Sequence, residues 1–425
     1  MMKVTHLLAR PFPPSPLSRR VDVVVIGGGA AGFFGALRAA EGGARVVLLE
    51  ATQSPLQKVR ISGGGRCNVT NAATDPAVLA TKYPRGGKEM RGALSRFGPR
   101  ETMAWFEARG VRLKAEPDGR VFPTTDDSAT IVDCLLSEAR RLGVEVRTGA
   151  RPSGIARTQE GYRLALKEGP LDARAVLLAS GSNPNGLALA ASLGHKLVPP
   201  VPSLFTFEVK DPRLDGLAGV SVERVRAKAL VGSETFEQEG PLLVTHWGLS
   251  AHAVLRLSAW GARAFHDAGY RAKLVVDWLP DLPEPALRDR VLRLREHEAR
   301  GTLGAHPVAT EIPRRLWDRL VEAAGGDPSL RWGEVPNRGV QALLDQLKRS
   351  AFEVTGKGPF REEFVTAGGV DRREVDWRTM ESRVAPGFHV AGEALDVDAL
   401  TGGYNLQCAW TTGWIAGSHL AQARS

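Results

Sequence analysis

Residues 21–50 read VDVVVIGGGAAGFFGALRAAEGGARVVLLE, and they restrict the fold more than any other stretch. Val21–Ile26 is a nearly unbroken apolar run, which suits a strand buried on both faces of a parallel sheet. Gly27, Gly29 and Gly32 follow as G-x-G-x-x-G, then a helical stretch to about residue 41 and a second apolar strand over residues 45–50. The first glycine permits a tight turn, the second lets backbone approach a pyrophosphate, and the third lets the helix pack closely on the strand. Ala30 and Ala31 fall at the helix N-terminus, whose free N–H groups and partial positive charge attract an anion. Glu50 stands 18 residues beyond Gly32, near the offset of about 20 expected of an acid that binds a ribose 2′-hydroxyl. Its charge disfavours a 2′-phosphate. The unit opens a doubly wound α/β sheet that binds FAD or NAD in preference to NADP.

The chain has 425 residues, enough for two or three domains. With 43% apolar and 24% charged residues it has ordinary globular composition. No run approaches the roughly 18 apolar residues of a spanning helix, so membrane residence is not expected. The formal charge is +9, and four of those charges (Lys3, Arg10, Arg19, Arg20) sit in a proline-broken N-terminal stretch with no acid. Residues 1–20 are therefore expected to be a mobile tail or to precede the true start. The remaining excess is dispersed, and the tryptophans are not interleaved with basic residues, so a nucleic-acid partner is not expected. Cys67, Cys134 and Cys408 are too few and too far apart for a disulfide framework or a CxxC metal motif. A reducing, cytoplasmic setting fits. His246, His252 and His266 share one region without carboxylates at ligand spacing, so no metal is expected.

Further along, residues 91–110 and 128–142 read as helices, 144–148 as a strand, and 175–179 (AVLLA) as another buried strand. The proline-rich stretch 198–207 marks an expected boundary. Short β-like pieces then run to residue 244, and helical patterns from 250 to 351. Residues 387–391 are strand-like and precede a small-residue helix from about 403 to 421. The expected organisation is an FAD domain from 21–199 and 351–425. Its insertion is β-rich over 200–249 and about 325–350, and helical over 250–324.

Three loops argue for a flavin over a nicotinamide as the resident cofactor. Residues 58–71 (KVRISGGGRCNVTN) carry three consecutive glycines, which cannot stabilise an element and suit close backbone approach. Residues 179–182 (ASGS) end a buried strand. Residues 392–405 (GEALDVDALTGGYN) end a strand in Gly-Glu and open the last helix on a Gly-Gly turn. In flavin folds such a helix end reaches the ring. The interaction is worth about 0.3–2 kcal/mol, enough to orient the ring and tune it.

These segments, with VVVIGGGAAGFFGALRAA and FVTAGGVDRREVDWRTMESR, resemble the BaiN/RdsA-like family of NAD(P)/FAD-dependent oxidoreductases, which includes the bacterial YhiN flavoproteins. The resemblance spans nearly the whole chain after Arg20. It implies a two-dinucleotide-binding-type, Rossmann-like FAD domain carrying an inserted β-barrel and helical domain. It matches Gly27, Gly29, Ala30, Ala31 and Glu50 to the ADP half of FAD. It matches Lys58, Ser62, Gly63, Gly64, Gly65, Arg66, Cys67 and Asn68 to a second FAD loop. Gly181 matches a glycine turn, and Gly392, Glu393, Gly403, Tyr404, Asn405 and Leu406 the flavin-end turn. Two departures stand where substrate access would be set: a shortened stretch after Ser180, and Ala251-His252 where relatives often have Gly-Pro.

The expected activity is reduction of FAD by NAD(P)H, a transient donor without its own glycine fingerprint here, followed by hydride delivery to a small organic acceptor. The resemblance points to an enone-like C=C. Tyr404 and His252 are the candidate proton donors. Cys67 beside Arg66 offers either a thiolate near the flavin or simple packing. An FAD-dependent RNA-modifying protein and a flavin-binding redox sensor are the rival readings.

Overall fold

The structure is a computed structural model that describes residues 20–358 and 365–422. Residues 1–19 of the expected tail lie outside the described residues. Strand β1 (Val21–Ile26) lies at the centre of the five parallel strands of a mixed nine-stranded sheet. It pairs on one side with β2 (Val46–Leu49), which continues to β3 (Glu145–Arg147). On its other side it pairs with β4 (Gly169–Leu178), which continues to β5 (Phe388–Val390). Val23, Val24, Val25, Val176, Leu177 and Leu178 are all fully buried, as the unbroken apolar runs require of strands covered on both faces. Helix α1 (Ala30–Glu41) follows β1 directly.

The insertion contains a closed six-stranded barrel. Its strands are Phe207–Val209, Ser221–Val231, Glu234–Thr245, Gly248–Ser250, Ala272–Asp277 and Ser350–Lys357. Helix α2 (His252–Trp260) packs against the long hairpin of this barrel. Trp278, Trp317 and Trp332 fill the hydrophobic core shared by barrel and surrounding helices.

Three expectations need correction. The span about 325–350 is not β-rich: Asn337–Arg349 is a helix that buries Val340, Leu343, Leu344 and Leu347 at helical spacing. Ala272–Asp277 and Ser350–Lys357, assigned to the helical part and to the FAD domain, pair with each other inside the barrel. The proline-rich stretch expected to mark a boundary is itself a strand just ahead of the barrel: Leu197–Ser203 pairs antiparallel with Val365–Val370. Its register is irregular between Val198 and Val201, where Pro199 and Pro200 have no N–H to donate. Residues 91–110 also divide, into Gly87–Leu94 and Pro99–Glu107.

The last helix, α3 (Tyr404–Gln422), lies along α1 at backbone distance. A Cβ placed on Gly413 would sit 2.4 Å from the Ala31 carbonyl oxygen, and one on Gly417 2.5 Å from that of Gly35. Phe34 and Trp410, 4.6 Å apart, anchor the aromatic cluster beside this seam.

A buried ion pair ties the FAD domain to the insertion. Asp398 is fully buried and pairs with Arg85. Arg85 also donates to the Ala259 carbonyl at the end of α2 (2.6 Å), and Ser203 Oγ donates to Asp398 (2.7 Å). Arg85→Ala strands a buried carboxylate, so we expect it to cost about 3–5 kcal/mol. Thermal unfolding checks this. Arg319→Ala, which breaks an exposed pair with Glu322, is expected to cost no more than about 1 kcal/mol. The double variant Arg85→Met/Asp398→Leu is expected to recover most of the loss.

Candidate dinucleotide and substrate site

The turn after β1 is shaped by steric exclusion. Gly27 has φ +111°, and a Cβ there would sit 2.4 Å from the Ala179 carbonyl oxygen at the end of β4. A Cβ on Gly32 would sit 1.9 Å from the Gly27 carbonyl oxygen. Gly29 differs: nothing lies within 4 Å of where its Cβ would be, and it opens α1 with no side-chain cap. Bare backbone and the positive end of a helix thus face open space at the C-terminal edge of the sheet, where an anion binds favourably. Glu50, at the end of β2, accepts from the Gly28 N–H (2.8 Å) and from the Thr52 N–H and hydroxyl (2.7 and 2.8 Å). These bonds fix the carboxylate and leave lone pairs on both oxygens.

The second glycine loop is also open. Gly63, Gly64 and Gly65 all have positive φ, and nothing lies within 4 Å of a Cβ on Gly64 or Gly65. Ser62 donates to the Val59 carbonyl (2.9 Å) and is part of the local turn. With its amide oriented to satisfy its neighbours, Asn68 donates to the Thr70 carbonyl and accepts from the Gly403 N–H, both at 2.9 Å. Lys58 pairs with Glu393 at 2.5 Å, and Glu393 also accepts from the Thr366 N–H (2.9 Å). A Cβ on Gly181 would lie 3.5 Å from Glu393 Oε2. Gly392 and Gly403 are held by contact, since their Cβ atoms would meet Ala31 Cβ at 2.8 Å and the Thr70 carbonyl at 2.3 Å. The three loops therefore converge.

Some expected residues turn away. Asn405 exchanges bonds with the Ala399 N–H and carbonyl (2.9 Å each), so only its backbone is left for a ligand. Leu406 packs on the core. Arg66 pairs with Glu116 and Asp126 and stacks on the Phe122 ring. The thiolate reading of Cys67 is overturned: the residue is fully buried, and burial pushes its thiol up to about 12.

Tyr404 and His252 come from opposite ends of the chain's organisation into one electrostatic neighbourhood. Burial raises the Tyr404 phenol above its ordinary value, while Arg256 lowers it and Asp118 raises it further. Burial lowers His252, and Arg256 and Arg120 push it the same way against Asp118. At neutral pH the phenol is protonated and the imidazole neutral. Asp118 and Arg120 bond to each other (2.6 Å) at the tip of a hairpin. Arg256, on α2, donates to the Glu239 carbonyl (3.1 Å) while its Nε is buried without a partner among the described residues. No local motif links the Asp118–Arg120 hairpin tip to Arg256, because tertiary packing brings the two elements together. Ala251 holds φ +71°, a strained conformation for a residue with a Cβ.

A parallel sheet whose strand ends meet a bare helix N-terminus, two glycine loops and an inserted barrel define an FAD-dependent oxidoreductase. The chain belongs to the HI0933-like family, whose Rossmann-domain profile matches residues 21–419. It is 32% identical to the 3-dehydro-bile acid delta(4,6)-reductase of Clostridium scindens, over 94% of this chain and 98% of that one. It is also 32% identical to the ribosomal RNA dihydrouridine synthase of Escherichia coli, over 96% and 99%. Among solved structures, the 3-ketosteroid delta1-dehydrogenase of Sterolibacterium denitrificans, in complex with 1,4-androstadiene-3,17-dione, aligns with a TM-score of 0.52 at 13% identity. That alignment covers 96% of this chain and 100% of the other, and shows a shared fold. No helix among the described residues is long and apolar enough to cross a membrane.

Proposed function

We propose that this protein reduces a carbon–carbon double bond conjugated to a carbonyl, with electrons from NAD(P)H. The observation that carries this reading is Tyr404, held protonated by burial, in the field of Arg256, which also acts on His252 together with Arg120. A proton donor and guanidinium groups are what such a reduction needs beside the acceptor. The names of both relatives describe saturation of a double bond, in a 3-dehydro bile acid and in uridine. In each the double bond is conjugated to a carbonyl.

In this reading Glu50 binds the adenosine ribose, and the N–H groups of Gly29, Ala30 and Ala31 bind the pyrophosphate. Backbone of Gly63, Gly64, Gly65 and Gly181 lies along the cofactor, with the Lys58–Glu393 pair alongside. Gly392, Gly403 and the backbone of Asn405 line the flavin end. FAD, when bound, supplies the two-electron chemistry. Tyr404 gives its proton to the carbon next to the substrate carbonyl. Arg256 and Arg120 hold the carbonyl oxygen, where negative charge develops. Neutral His252 hydrogen-bonds the substrate and admits no competing charge. Overall, one hydride from NAD(P)H and one proton add across the double bond.

A uridine in RNA is the second reading, favoured by the similarity to the Escherichia coli relative. Anaerobic stopped-flow with NADH and NADPH, then a panel of 3-oxo-4-ene steroids, cyclic enones and unmodified ribosomal RNA, tests both. Saturated steroid or enone supports the first reading, and dihydrouridine supports the second. If the bound flavin keeps its colour with both nucleotides, or oxygen alone accepts electrons, the reductase reading fails.

A further inference from the structure

We propose that Glu381, His389 and His419 form a binding site for one zinc-class divalent cation, on the face of the FAD domain away from the reaction end. The three come from separate elements: a short strand, β5 and the last turn of α3. Glu381 and His389 are direct cross-strand partners. His389 Nε2 lies 2.9 Å from His419 Nδ1, and one Glu381 oxygen completes a group whose ligand atoms all lie within 4.8 Å of one another.

The donor set suits zinc, which takes imidazole nitrogen and carboxylate oxygen with water in the remaining position. Zinc–nitrogen bonds of about 2.0–2.1 Å at a tetrahedral angle place two nitrogens about 3.4 Å apart. The rings therefore open by about half an ångström, within reach of side-chain torsions. His389 is only 2% exposed, and its Nδ1 is buried without a hydrogen-bond partner among the described residues. The carbonyls of Gly387 and Val176 lie close to it. A proton on Nδ1 facing those carbonyls aims the Nε2 lone pair at the cluster, the arrangement metal-bound histidines use. His419 stands where helix carbonyls leave a partial negative charge, which favours a cation. It is 15 residues from Tyr404, about 22 Å along the axis, so this site is separate from the reaction end.

This proposal departs from the sequence expectation of no metal, which weighed His246, His252 and His266 and not the three residues that the fold brings together here. Bound metal would fasten the end of α3 to β5, the two elements whose other ends form the flavin-end turn.

The test uses full-length holoprotein freed of metal by a chelator, then titrated with Zn²⁺ against a chromophoric competitor. We expect one Zn²⁺ per chain and a raised unfolding temperature. Both His419→Ala and Glu381→Gln are expected to weaken binding about 100-fold at unchanged FAD content. Glu381→Gln keeps an acceptor for the Gly387 N–H, which Glu381 now binds at 2.7 Å, so it isolates the charge. Absence of stoichiometric binding, or equal affinity in all three proteins, overturns the proposal and leaves a buried imidazole pair.

Discussion

Gly32→Ala is expected to yield a colourless protein. The added methyl would sit 1.9 Å from the Gly27 carbonyl oxygen, a backbone atom that cannot swing aside as a side chain would. Relief requires α1 to move off β1, and that displaces the N–H groups of Ala30 and Ala31 from the open space beside Gly29. α3 resists the movement, because Gly413 already touches Ala31. FAD affinity is expected to fall at least 1,000-fold, about 4 kcal/mol. The flavin-to-protein absorbance ratio after purification, and fluorescence titration with added FAD, read the effect. Gly92→Ala is the matched control: it lies within Gly87–Leu94 with nothing within 4 Å of its Cβ. It should stay yellow and gain up to about 1 kcal/mol of stability. A yellow, stoichiometrically loaded Gly32→Ala protein would remove the proposed phosphate-binding turn.

Tyr404→Phe is expected to lower the rate of double-bond saturation about 10²- to 10⁴-fold, the usual worth of a positioned proton donor. Reduction of the bound cofactor by NAD(P)H should be unchanged, since that step needs no proton from the phenol. Stopped-flow separates the two half-reactions. The pH profile gives a second readout. Burial raises the Tyr404 phenol above its ordinary value, so the wild-type rate should hold through that range and fall only above it, as the proton is lost. The variant should lack that descending limb. Equal saturation rates in variant and wild type would take the donor role from Tyr404 and return it to His252 or solvent.

The nucleotide end of the molecule was legible because each glycine there answers a local steric demand. Gly27 and Gly32 are excluded from carrying a Cβ by neighbours in the same β-turn-α unit or the adjoining strand, so spacing alone revealed them. The buried strands β1, β2 and β4 announced themselves as unbroken apolar runs. The barrel was harder. Ser350–Lys357 alternates buried and exposed positions over Ser350–Val354, but it follows helix Asn337–Arg349 without a break, and the stronger helical period absorbed its start. Leu197–Ser203 hid behind its prolines, which an irregular register tolerates. The reaction end was the least legible. Arg256 is four residues from His252 on one helix, but Asp118 and Arg120 lie more than 130 residues earlier, and only the docking of the insertion brings the hairpin that carries them to His252.

The pairing of β4 with β5 joins segments separated by about half of the chain, and that of α1 with α3 segments separated by most of it. Such long-range closures carry a large loop entropy and form late. During synthesis the barrel, whose strands lie between residues 207 and 357, is free to close before β5 and α3 leave the ribosome. Until residues 388–390 emerge, the half-built sheet keeps an open edge along Val176–Leu178 of β4. This enzyme therefore acquires its colour only after translation is nearly finished, and a nascent chain stalled earlier presents a finished barrel beside an unsealed, aggregation-prone flank.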